Sequence, residues 1–231
     1  MPRIIDLTLT IADFMPSHRT IHRPFYRPHL THPESVALKL GTPEDPMTFA
    51  SNYFSMCEHT GTHVDAFFHT SPDGPSIDEM DLNLFMGSAV CLDLRHTPDL
   101  GDIDVADLEE AERKAGVRVE GQIVLLCTGF HRRHWPNDSV SHNNPGLTAA
   151  ATHWIADRGS VMHGVEGPST DKPNDPRFLS HLVCRHRRLA HYEWLVNLEE
   201  LLGKGVFYFQ GIPLKLNRGT GSPVRAFATL D

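Results

Sequence analysis

A mixed fold of the α/β or α+β kind is predicted by two patterns. Short apolar runs that read as strands outnumber the helical stretches, and the two kinds mix along the chain instead of segregating. No internal repeat, low-complexity tract or linker interrupts the 231 residues, so residues 1–231 are expected to form one domain.

The elements follow in order. Arg3 to Leu9 is expected to form a first strand. Residues 11 to 34 mix Pro, His and Arg with aromatics such as Phe14, Phe25 and Tyr26 and show no period. They read as an irregular segment that covers a pocket, hugs the surface or contacts another subunit. Ser35–Leu40 and Met47–Cys57 read as strands, and Ser71-Pro-Asp-Gly-Pro75 as a turn. Ser88–Arg95 and Gln122–Thr128 are buried-type strands. Between them Asp104 caps a predicted helix over Val105–Ala115, with Gly116 as its stop. Residues 129–146, with Arg132-Arg133-His134-Trp135, read as a long loop. A helix is expected from Thr148 to about Arg158, then a strand over Ser160–Val165 and a helix from Arg177 to about Arg187. Ala190–Val196, Gly205–Ile212 and Val224–Thr229 read as strands, Leu198–Leu202 as a helical turn, and Asn217–Pro223 as a flexible turn.

Composition excludes several classes of function. Apolar residues make up 40% and charged residues 22% of the chain, an ordinary soluble balance. The net charge of −8 opposes sequence-independent binding of nucleic acid, which needs a basic face. No apolar run approaches the roughly 20 residues of a membrane span. The start, Met1-Pro-Arg-Ile-Ile-Asp-Leu7, has no apolar signal core. Cys57, Cys91, Cys127 and Cys184 form no CxxC pair and no disulfide framework, so a reducing cytoplasm is the expected location.

One stretch carries chemistry. His59-Thr-Gly-Thr-His63-Val-Asp65-Ala-Phe-Phe-His69 sets three histidines and an aspartate within eleven residues. Glycine and β-branched threonines disfavour a helix between His59 and His63, so a loop running into a strand is expected. On a strand, His63 and Asp65 share a face, and His59 reaches back to the same point. Two imidazoles and a carboxylate hold a divalent metal while leaving positions for water and substrate. His69 is a candidate acid or base. The chain has 16 histidines, so structural roles compete with each of these assignments. Glu193, inside Tyr192-Glu-Trp-Leu-Val196, is an acid in an apolar strand, which needs a partner or a metal. His181, one helix and turn earlier, converges with it or leaves it to face solvent or a nearby arginine.

The histidine stretch closely resembles the His-x-Gly-Thr-His-x-Asp-x-Pro-x-His signature of the cyclase family, which includes bacterial kynurenine formamidases and isatin hydrolase. Ile4-Ile-Asp-Leu-Thr8 resembles the family's opening strand, and Gly164-Val-Glu-Gly-Pro-Ser-Thr-Asp171 its Gly-Ile-Asp-x-Pro-Ser-x-Asp loop. The His181 to Glu193 spacing and the block Pro213–Arg225 also match. The resemblance implies a swivelling β/β/α fold with a mixed, barrel-like sheet and flanking helices. It implies that His59, His63 and Asp65 bind one zinc or manganese ion. Asp65 would bridge to a second ion held by His181 and Glu193, with His69 as proton shuttle. It further implies hydrolysis of an amide, lactam, lactone or related bond of a small substrate, aromatic ones included, and assembly as homodimers or homotetramers. A ring-closing cyclase or dehydratase and a non-catalytic binding module are the rival readings. Two departures stand out. Phe67-Phe68 takes the place of the signature proline, and the N-terminal segment lacks the tryptophan that formamidases set against an aromatic substrate, leaving Phe14 and Phe25 as candidates. Glu193 separates the chain from isatin hydrolase, where the resemblance implies a neutral residue and one ion.

Overall fold

The computed structural model describes residues 2–230. Nine strands build one sheet: β1 (Arg3–Asp6), β2 (His63–Asp65), β3 (Met86–Asp93), β4 (Ile123–Cys127), β5 (Met162–Val165), β6 (Ala190–Glu193), β7 (Phe207–Gln210), β8 (Gly221–Pro223) and β9 (Phe227–Leu230). Their spatial order is β1-β9-β7-β3-β4-β5-β6-β2-β8. The central run β3-β4-β5-β6 is parallel, and both flanks are antiparallel. Three helices, α1 (Val105–Ala115), α2 (Ala149–Asp157) and α3 (Leu179–Arg187), lie in the connections between the parallel strands, as parallel pairing requires. The sheet curls, and the chain beyond β1 bridges to the end of β6 through Thr8 and Leu195. The α/β class and the barrel-like mixed sheet expected from the sequence are therefore present.

Side-chain alternation divides the core. On β3, Ala89 and Cys91 face one apolar cluster inside the curl, with Leu7, Tyr192 and Phe209. Val90 and Leu92 face the other, under the helices, with Leu108, Trp154 and Ile155. Every residue of β4 is buried because apolar layers cover both its faces. The helix boundaries follow their caps. Asp104 caps α1 with Asp107 in a capping box, and Gly116 ends it at φ +63. The Thr148 side chain accepts from Ala151 N at the start of α2.

Several expected boundaries differ. Of the strand expected over Ser35–Leu40, only Leu40 pairs, with Met47 in a two-residue ribbon. A capping box between Thr31 and Glu34, with proline in the first turn, starts a helix over His32–Ser35 that continues as a 3-10 turn over Val36–Leu38. The irregular N-terminal segment contains a strand, Phe25–Leu30, paired antiparallel with Ser51–Ser55 in a separate ribbon. Both ribbon faces are largely exposed, so no apolar alternation marked it. The loop 129–146 holds a short helix, Phe130–His134, and a 3-10 turn, Asp138–Ser141. The glycine-rich turn before Pro223 includes β8, which pairs with β2.

Candidate metal centre

The site forms where β2 and β6 run side by side. Their antiparallel register sets Glu193 opposite His63 and Tyr192 opposite Val64, so one step further His191 faces Asp65. His63 and Asp65 project from one face of β2, and His191 and Glu193 from the same face of β6. Gly61, at φ +66, provides the left-handed turn that separates His59 from His63. On the other side of β2, Gly221 pairs with Asp65. A Cβ there would lie 2.7 Å from His59 Cε1, so glycine makes room for the ring.

The sequence-predicted residues come together. His59 Nδ1 lies 2.7 Å from Asp65 Oδ1, and His63 Nε2 lies 3.3 Å from the same oxygen. His63 Nε2 is also 3.5 Å from Glu193 Oε2. His181 Nε2 is 3.9 Å from Asp65 Oδ2 and 4.0 Å from Glu193 Oε1. His69 Nε2 is 3.7 Å from Asp65 Oδ2. Phe67-Phe68 opens a four-residue helix, Phe67–Thr70, that carries His69. Phe67 packs on the core, so a half-buried aromatic anchors this turn where the signature has proline.

Hydrogen bonds orient the rings. A carbonyl only accepts, so the contact of His63 Nδ1 with Gly61 O at 2.8 Å places the ring hydrogen on Nδ1. Asp171 Oδ2 fixes His181 Nδ1 at 2.5 Å in the same way, and the Asp171 carboxylate also accepts from Ser180 N and His181 N at the start of α3. Thr220 Oγ1 donates to Glu58 Oε2, so it accepts from His59 Nε2 at 2.9 Å. In its neutral form each of these rings turns a lone pair toward Asp65 and Glu193, the arrangement that outer hydrogen bonds give to metal-binding histidines.

The electrostatics agree. Burial alone raises the Asp65 carboxyl, but the nearby imidazoles of His191, His59 and His63 outweigh it and hold Asp65 well below the usual carboxylate range. Burial also opposes charge on His59, yet the Asp65 carboxylate raises it. Burial lowers His69, which favours the neutral, proton-accepting ring. The donor set of imidazoles and carboxylates fits a divalent metal ion. His63 Nε2 and His191 Nε2 are buried and lack a hydrogen-bond partner. Their separations from carboxylate oxygens are 3.3–3.5 Å, the span of neighbouring ligands of one ion and also of an imidazole–carboxylate ion pair. With metal–ligand distances of about 2.0–2.2 Å, neighbouring ligands of a tetrahedral ion stand about 3.3–3.6 Å apart.

His191 was missed in the sequence. It has the strand parity of Glu193, which is the signal that would have found it. A cavity of about 170 Å³ opens over the centre, reached by His59, Asp65, His69, His181 and Glu193 and walled by His18, Thr20 and Ile21 on one side and Phe178 on the other. Neither Phe14 nor Phe25 lines it, and both are exposed. The Arg132–Trp135 segment does not reach it either. Arg133 Nη1 donates to Thr128 O, and Trp135 packs beside Trp194. A larger surface hollow of about 860 Å³ near Glu112 and Arg158 has a charged rim and no convergent imidazoles.

The comparisons extend the picture. A family described as putative cyclase matches residues 5–172. Kynurenine formamidase from Bacillus cereus is 28% identical over 176 residues, covering 74% of this chain and 76% of the relative. Among solved structures, isatin hydrolase A from Labrenzia aggregata, bound to benzyl benzoate, superposes with a TM-score of 0.82 at 25% identity, covering 99% of this chain and 94% of that one. Isatin hydrolase A from Ralstonia solanacearum gives 0.82 at 27% identity, covering 100% and 92%.

Proposed function

The chain belongs to the cyclase family and is a metal-dependent hydrolase, and from that premise we propose that it cleaves a C–N or C–O acyl bond of a small substrate with His69 as proton shuttle. The observation that carries this reading is the convergence of inward-facing imidazoles on the Asp65–Glu193 pair, with His69 beside them at the cavity. His59, His63, Asp65, His181 and Glu193 are the residues proposed to hold one or two zinc or manganese ions. When bound, such an ion lowers the pKa of water to about 7 and polarises a carbonyl.

The chain's own residues do the rest. His69, whose pKa desolvation at the cavity lowers, takes a proton from the attacking water and delivers it to the leaving nitrogen or oxygen. Asp65 and Glu193 would offset the charge of a bound ion. Asp171 holds the His181 ring through Nδ1. His18 and Phe178 narrow the approach. The cavity of about 170 Å³ is smaller than the roughly 300–1,000 Å³ of pockets for drug-sized ligands, which suits a small acyl group entering at its edge. Formamides, the class in the relatives' name, stand first in the substrate screen, followed by lactams, lactones and imides. The same reading includes assembly through the exposed aromatic ribbon around Tyr26, Tyr53 and Phe54.

The test is a screen of the metal-loaded protein over those four classes in oxygen-18 water. Hydrolysis places one solvent oxygen in the acid product. Turnover without label would favour the cyclase or dehydratase reading and overturn this one.

A further inference from the structure

We propose that His191 is a metal ligand, and that Asp65, His181, His191 and Glu193 form a four-donor pocket that closes around one divalent ion of the zinc class. This rests on the metal-dependent reading above and adds a donor to it. One donor atom from each of the four residues lies within 4.8 Å of all the others, and all four residues are buried. His191 Nε2 stands 3.3 Å from Asp65 Oδ2 and 3.4 Å from Glu193 Oε1. His181 Nε2 faces the same two oxygens at 3.9 and 4.0 Å. The two His191 separations match the roughly 3.3–3.6 Å edge of a tetrahedral zinc site, and those of His181 are slightly longer. His191 is only 3% exposed, and its Nε2 has no hydrogen-bond partner. A buried ring nitrogen left unpartnered costs stability unless something fills the gap it faces.

The consequence is a division of labour. Four protein donors complete a tetrahedral ion and leave no place for water, as in structural zinc sites. Open coordination then belongs to the ion of His59, His63 and Asp65, which has three protein donors beside His69; His59, Asp65, His69, His181 and Glu193 all border the cavity and His191 does not. One rival uses the opposite edge of the same ring. His163, Cys184 and His191 also bring their donor atoms within 4.8 Å. There His163 gives Nε2 to Thr170 Oγ1 and keeps Nδ1 as its donor, but Cys184 is the only anion-forming group, against two carboxylates on the Asp65 side. The other rival is a plain ion pair, with a protonated His191 between two carboxylates.

The experiment is elemental analysis of zinc-loaded, dialysed protein, with circular dichroism to confirm folding. Wild type is expected to hold two ions per chain, His191→Leu and His191→Gln one, and Cys184→Ser two. Folded His191 variants that keep both ions at wild-type affinity overturn the proposal, as does loss of an ion in Cys184→Ser alone. If neither His191 variant folds, cadmium-113-loaded wild type with nitrogen-15 histidines decides. Coupling of the metal to His191 Nε2 supports the assignment, and its absence overturns it. Failure of the underlying metal reading has a different signature, a wild type that binds no zinc and matches Asp65→Ala.

Discussion

Asp65 and Glu193 lie as deep as Glu166, at 4%, 6% and 1% exposure, yet their carboxyls shift in opposite directions. Burial raises all three. At Glu166 burial prevails. Thr128 and backbone amides are its hydrogen-bond donors, Glu199 repels it, and its pKa is pushed up to about 7. At Asp65 the imidazoles of His191, His59 and His63 reverse the effect. At Glu193 the attraction of the nearby His191 and His63 imidazoles outweighs both burial and repulsion from Asp65, so its pKa falls. Depth alone therefore does not make a cation site. Imidazoles that take up a proton beside them keep two neighbouring carboxylates ionised, and a carboxylate without them drifts toward neutrality.

This contrast breaks in three places, in descending order of effect. Asp65→Ala removes the oxygens shared by His59, His63, His181 and His191. It is expected to strip the metal and reduce hydrolysis to background, read by elemental analysis and initial rates. His69→Ala leaves the carboxylate pair and its imidazoles in place, so metal content should hold while kcat falls roughly 10²–10⁴-fold. Full activity in that variant would remove His69 from the proton path. Glu166→Gln tests the other arm. Between its unfolded value of 4.5 and its folded value of about 7, Glu166 holds a proton in the folded chain that the unfolded chain releases. Wild-type stability attributable to this group therefore falls as pH rises through that window and is flat above it, a loss of about 3 kcal/mol. The variant lacks this slope, so its advantage over wild type should grow by about that amount from pH 4.5 to 7.5 in urea titrations. A constant difference would place the Glu166 pKa near its unfolded value.

Legibility in the sequence followed the range of the interaction. Residues 59 to 69 could be read because Gly61, the threonines and the two-residue step from His63 to Asp65 act locally. The ends of α1 and α2 could be read because Asp104, Gly116 and Thr148 cap them within one turn. His191 was overlooked although its parity with Glu193 was visible, because no local feature marks a histidine in an apolar strand as a ligand. The partnership of Asp171 with His181 is a tertiary contact across the start of α3. The placement of His18 over the cavity depends on how the N-terminal segment folds back, which no short-range pattern encodes. The Phe25–Leu30 strand escaped for the opposite reason. It buries neither face, so the period that identifies strands was missing.

Metal removal tests the central claim of metal-dependent hydrolysis most directly. Chelator-stripped, refolding-checked protein is assayed on the best formamide, lactam, lactone or imide substrate before and after adding zinc or manganese. Activity should vanish on stripping and return with metal added to wild type but not to Asp65→Ala. Undiminished hydrolysis by the metal-free protein would contradict it.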